Sequence, residues 1–131
     1  VPSSYRYSIA FIGWMGLVTF FSLYSFRDPD PSRSETLHLD KIVHFTFYFV
    51  ACILGVCFLR ERLKTRLSLI NSIILIVVFT IVYGVIIEVL QHMYTLTRQG
   101  DVYDVVANSL GSLFGAFLAY RLFNKSGRYS W

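Results

Sequence analysis

The sequence predicts an all-α, polytopic membrane protein: four transmembrane helices in a compact bundle, with the N-terminus and the C-terminus both cytoplasmic. Three observations carry that reading. Only 15% of the 131 residues are charged, while 55% are hydrophobic and 18% aromatic, against about 25% charged in an ordinary soluble domain. The apolar residues collect in four blocks instead of spreading along the chain. Lysine and arginine are divided unequally between the connecting segments, and that bias orients short-looped membrane proteins.

The elements follow in order within a single domain, residues 1–131. Residues 7–26 ("YSIAFIGWMGLVTFFSLYSF") are uncharged, and a spanning helix needs about 20 predominantly apolar residues. No small-residue cleavage site follows, so this block reads as a retained helix, not a signal peptide. Residues 27–40 contain Pro29, Pro31 and several turn formers, which predicts an irregular extracytoplasmic loop. A second helix is expected at about 41–59, with His44 as its one ionisable group beyond Lys41. The basic loop 60–66 ("RERLKTR") leads to a third helix at about 67–92, uncharged as far as Ile87. A tight link containing Gly100, which tolerates a positive φ, precedes a fourth helix at about 102–123. Its uncharged part, 105–120, is short for a span unless Asp104 and Arg121 reach the interfaces.

With four spans, the N-terminus, the 60–66 loop and the C-terminus share one side. That side holds Arg6, Arg60, Arg62, Lys64, Arg66, Arg121, Lys125 and Arg128; the other holds Arg27, Arg33, Lys41 and Arg98. The richer side is cytoplasmic. The basic loop therefore reads as a topology signal beside anionic lipid, and no nucleic-acid partner is expected. Cys52 and Cys57 are about 140° apart around a helix, so they face different ways and read as small apolar residues. Tyr5, Tyr7, Tyr24, Tyr94, Tyr129 and Trp131 read as interface anchors.

Polar residues gather at the outer ends of three helices. Lys41, His44 and Tyr48 follow an i, i+3, i+7 stripe; Glu88 pairs by spacing with Gln91 or His92; Asp101, Asp104 and Asn108 repeat the first spacing. Each set can share one helix face. Ionisable groups within hydrocarbon are costly, about 2.5–3.5 kcal/mol at mid-bilayer on insertion scales, and face a bundle interior or a water-filled cavity. The expectation is a polar pocket between helices two, three and four, open to the outside. In the fourth helix Ala107, Gly111, Gly115 and Ala119 form a small-residue seam that lets backbones approach closely. It serves packing within the bundle or, on a second reading, a homodimer.

Three motifs in fixed order, "DKIVHFTFYF", "EVLQ", and an arginine followed by "DVYDVVANSLGSLFG", together resemble the VanZ-like family of small bacterial integral membrane proteins. The resemblance spans roughly residues 38–119. It implies a multi-pass protein of the bacterial cytoplasmic (inner) membrane, and Asp40, Lys41, His44, Glu88, Gln91, Arg98, Asp104, Asn108 and Gly111 as pattern positions. The family is known as an accessory in resistance to the glycopeptide teicoplanin, so a link to antibiotic tolerance and the cell envelope is implied as well.

Three functions fit these residues. In the first, Asp40, Lys41, His44, Glu88, Gln91, Arg98, Asp104 and Asn108 bind a lipid headgroup or lipid-linked envelope precursor, with Lys41 and Arg98 on phosphate. In the second, the chain is a small accessory subunit of a larger envelope complex, and the cluster is an internal ion-pair network. In the third, it is an intramembrane enzyme with Glu88 and His44 as acid and base and Asp104 orienting the imidazole. No nucleophile motif accompanies that set. No cofactor or metal is expected; a metal alternative would use His44, Glu88, His92 and Asp104, since Glu and His at i, i+4 share a ligand face.

Overall fold

The structure is a computed structural model. It describes the backbone of residues 5–24, 34–63, 66–94 and 102–126, and the side chains of 5–24, 41–63, 66–93 and 102–125. Four helices make up nearly all of it: α1 (Arg6–Leu23), α2 (Ser34–Leu63), α3 (Leu69–Tyr94) and α4 (Val102–Ser126). No strand occurs among the described residues. All four are long and apolar enough to cross a membrane, including α4, whose spanning portion runs from Val102 to Lys125. The concern over its length is met by the flanking residues, which extend the helix beyond its uncharged centre.

One boundary differs from expectation. α2 starts at Ser34, seven residues before Lys41, inside the stretch expected to be loop. The prolines stop at Pro31. Glu35 and Leu37, both good helix formers, let the helix propagate backwards once the downstream turns nucleate it. At its other end α2 continues to Leu63, so half of the basic segment is helical. Arg60 is buried there and its guanidinium donates to the Leu67 carbonyl, tying α2 to the entry of α3.

α2 is the central helix. It packs on α1, α3 and α4, whereas α1 and α4 do not meet among the described residues. From Phe47 to Glu61 no α2 residue is exposed. Gly111 and Gly115 of α4 are why α2 and α4 approach so closely. A Cβ at Gly111 would collide with the Phe45 carbonyl oxygen, and one at Gly115 would lie 2.6 Å from the Phe49 oxygen. The seam on α4 is thus used inside the chain, with Ala119 also buried and Ala107 half-buried.

Burial is patterned opposite to that of a soluble bundle. The inward face of α4 carries Asp104, Asn108, Gly111, Ser112, Gly115 and Ala116, while Leu110, Leu113, Phe114 and Phe117 point out. On α3, Ser72, Thr80 and Glu88 are buried and Ile74, Val78, Val82 and Ile86 are exposed. Small and polar residues join helices where the surroundings are as apolar as leucine. Two grooves of about 320 and 310 Å³ lie on these outer faces, one along Leu113, Phe114 and Phe117, the other along Leu75, Val78, Phe79, Val82, Tyr83 and Ile86. The apolar core occupies the half of the bundle nearer the start of α1, from Phe11 and Met15 through Cys52, Val56 and Leu59 to Ile76 and Ala116. Phe11 stacks on Phe58 with centroids 5.4 Å apart. Cys52 and Cys57 are both free thiols. The other half holds the polar residues.

Candidate functional site

Helical periodicity puts Lys41, His44 and Tyr48 on one side of α2, and that side faces α4. Lys41 Nζ donates to Asp104 Oδ1 at 3.2 Å, making an ion pair whose lysine is about one-third exposed. His44 lies one turn deeper and is buried. Its Nδ1 is 3.1 Å from Asn108 Oδ1, and its Nε2 is 3.7 Å from Asp104 Oδ2. The two carboxylate oxygens of Asp104 therefore look toward different partners on α2. Among the described residues the hydrogen bond on the imidazole runs to Asn108, with Asp104 facing its other nitrogen at 3.7 Å.

α3 closes the site with Glu88 and Gln91. Glu88 is 4% exposed, and one of its oxygens, with one donor atom each from His44 and Asp104, forms a group lying within 4.8 Å of one another. One turn before Glu88, Gly84 makes room for its neighbours: a Cβ there would sit 3.1 Å from Asn108 Nδ2 and 3.3 Å from the Tyr48 ring. Tyr48 is fully buried, and its hydroxyl makes no hydrogen bond among the described residues. Gln91 Nε2 donates to the Ser22 carbonyl at 2.6 Å, which fastens the end of α1 to the same level. Thr19 and Tyr83 share a short hydrogen bond one turn below.

The arrangement is a packed layer. Glu88, Gln91, Asp104 and Asn108 are all 4% exposed or less. Lys41 lies at the edge of this layer, about one-third exposed, and its ammonium also sits 5.9 Å from the centre of the exposed Tyr103 ring. Acids, amides, an imidazole and a lysine placed this close can hold a group that both donates and accepts hydrogen bonds, and can neutralise charge of either sign.

A family model described as VanZ/LLP1 matches residues 4–124 of the 131-residue chain. The chain belongs to the VanZ/LLP1 family. With its four spanning-length helices, this VanZ/LLP1 chain is a multi-pass membrane protein. No curated protein and no solved structure matches it. The matched stretch includes every residue named above for the site.

Of the residues singled out in the sequence, the VanZ/LLP1 fold brings together Lys41, His44, Glu88, Asp104 and Asn108 and ties Gln91 to α1. His92 does not join them: it is exposed and outside the metal-competent group. It follows Gln91 directly, and a 100° step around the helix carries it off the inward face. The Asp40, Arg98 and Asp101 side chains and the Gly100 turn lie outside the described residues. Three contributors went unnoticed in the sequence. Ser22 acts through a backbone carbonyl, which no side-chain pattern reveals. Gly84 could have been noticed as the lone glycine in an apolar run. Tyr103 stands beside Asp104 and was readable only once Lys41 was placed.

Proposed function

We propose that the polar end of the bundle binds the charged or hydroxyl-rich headgroup of an amphiphile, a membrane lipid or a lipid-linked envelope precursor. The single observation that carries this reading is the convergence of Lys41, His44, Glu88, Asp104 and Asn108 from three helices into one buried layer with a lysine at its edge. Such residues are costly inside a membrane and in general mark ligand or ion sites. The Lys/Arg bias puts this end at the extracytoplasmic face, with both termini inside. Lys41 supplies positive charge for phosphate, and Glu88, Gln91, Asp104 and Asn108 supply hydrogen bonds; Arg98 and Asp40 are assigned to the same ligand from the sequence pattern alone. A headgroup ligand at this face fits the cell-envelope and teicoplanin association implied by the family name.

Native mass spectrometry of the chain extracted gently from its own membrane tests the proposal. A discrete amphiphile mass retained by wild type and lost by folded Lys41→Met and Glu88→Gln variants is the expected result. Wild type free of any such mass, or variants retaining it equally, overturns it.

The second reading is an internal network that docks α4 on α2 within a small accessory subunit. It is favoured by the fact that Lys41–Asp104 and His44–Asn108 both join those two helices. The same spectra discriminate: a bare protein mass together with destabilised variants supports it. An enzymatic role for Glu88 and His44 would require turnover of the retained amphiphile.

A further inference from the structure

Beyond headgroup binding, we infer that His44, Glu88 and Asp104 form a site for a divalent transition-metal cation held between α2, α3 and α4. Each helix supplies one donor: an imidazole nitrogen and two carboxylate oxygens, all within 4.8 Å of one another. A cation with bonds of about 2.0–2.2 Å spaces three donors about 3.3–3.8 Å apart, so closing around one draws the widest pair of this group together by up to about an ångström.

The orientation of His44 matches a ligand. With Asn108 Oδ1 at 3.1 Å accepting from Nδ1–H, the tautomer leaves a lone pair on Nε2, and Nε2 faces Asp104 Oδ2 at 3.7 Å. That spacing exceeds an ordinary N–H···O bond of about 2.7–3.2 Å yet is a normal edge between two donors on one ion. A histidine ligand whose second nitrogen is held by a side-chain or backbone oxygen is the usual arrangement around bound metals. Asp104 is similarly divided, with Lys41 on Oδ1 and Oδ2 turned inward. Lys41, paired with Asp104 Oδ1, offsets part of that carboxylate's charge.

Tyr48 supplies an independent pointer. Its hydroxyl is fully buried, makes no hydrogen bond among the described residues, and lies within electrostatic reach of Glu88. It stands one turn from His44 on the same face and packs with Asn108 against Gly84, one turn before Glu88. In the proposed site this phenol oxygen is a further donor, to the ion or to a water on it. One imidazole with oxygen donors suits zinc or manganese; magnesium keeps its waters and is poorly served by so closed a layer.

The full chain in detergent, stripped with chelator, reloaded with Zn²⁺ or Mn²⁺ and desalted, should retain about one ion per chain by elemental analysis. His44→Gln and Glu88→Gln, checked for folding by circular dichroism and gel filtration, should each retain less than about a tenth of that, while His92→Ala should match wild type. Co²⁺ provides a second readout: visible d–d absorption in wild type that is lost in Asp104→Asn. Wild type that retains no ion and gives no Co²⁺ spectrum, or folded His44→Gln and Glu88→Gln proteins that bind like wild type, overturns the site. These measurements need no lipid, so an amphiphile seen in native spectra of a metal-free protein would defeat this inference and leave headgroup binding standing.

Discussion

His44 and Asn108 are separated by 64 positions in the chain and by 3.1 Å in space. That contact joins the first buried side chain described on α2 to the second turn of α4, and it decides which way the imidazole faces. Around it are the Lys41–Asp104 ion pair, Glu88 from α3, and Gly84 accommodating Asn108 and Tyr48.

The strength of this link is measurable by a double-mutant cycle. His44→Ala, Asn108→Ala and the pair, unfolded in mixed detergent, should show a coupling of about 0.6 kcal/mol and at most about 1.7, the range for hydrogen bonds between membrane helices. Strictly additive losses would mean the two side chains do not depend on each other.

The ion pair predicts an asymmetric result. Removing one partner of a buried pair costs about 3–5 kcal/mol, but Lys41 is 31% exposed and water screens it, so Lys41→Met should cost about 1–2 kcal/mol. Lys41→Met combined with Asp104→Asn should recover part of that loss. Thermal unfolding in one detergent checks it, and a double variant less stable than the sum of the singles would contradict the pairing.

Glycine substitutions separate close approach from free surface. Gly111→Ala should abolish folded, monodisperse protein in fluorescence-detected gel filtration, because the new methyl collides with backbone of α2, which cannot give way. Gly13→Ala and Gly16→Ala meet nothing within 4 Å and should be neutral or stabilising by about 0.5–1 kcal/mol, the ordinary helix preference for alanine. Equal tolerance at Gly111 and Gly13 would show that α2 and α4 are not in contact there.

Docking of α1 rests partly on Gln91. Gln91→Glu turns a donor to the Ser22 carbonyl into an acceptor and adds a second carboxylate three residues from Glu88, so it should destabilise more than Gln91→Leu. The comparison is read as protease sensitivity of the segment after α1. Indistinguishable variants would remove Gln91 from the packing of that helix.

How much of this was legible in the sequence varies with the residue. The four helices were, because long, nearly uncharged apolar runs have few alternatives. The earlier start of α2 was not, since the turn formers suggested loop as far as residue 40, whereas the helix propagates back to Ser34, past the last proline. The convergence of Lys41, His44, Glu88, Asp104 and Asn108 was foreshadowed by spacing and helix direction. That His92 falls away and that Asn108 bonds the imidazole was not.

By itself the sequence determined the class of solvent, the number of helices and the end at which polar groups collect, because hydrophobic length and helical period are local properties of the chain. Only the tertiary structure decided that α2 is the centre, that Gly111 and Gly115 are used against it, and which oxygen meets which nitrogen. Those depend on how α3 and α4 rotate about their own axes when they pack. A turn of a few tens of degrees, invisible to any local pattern, exchanges one set of facing side chains for another.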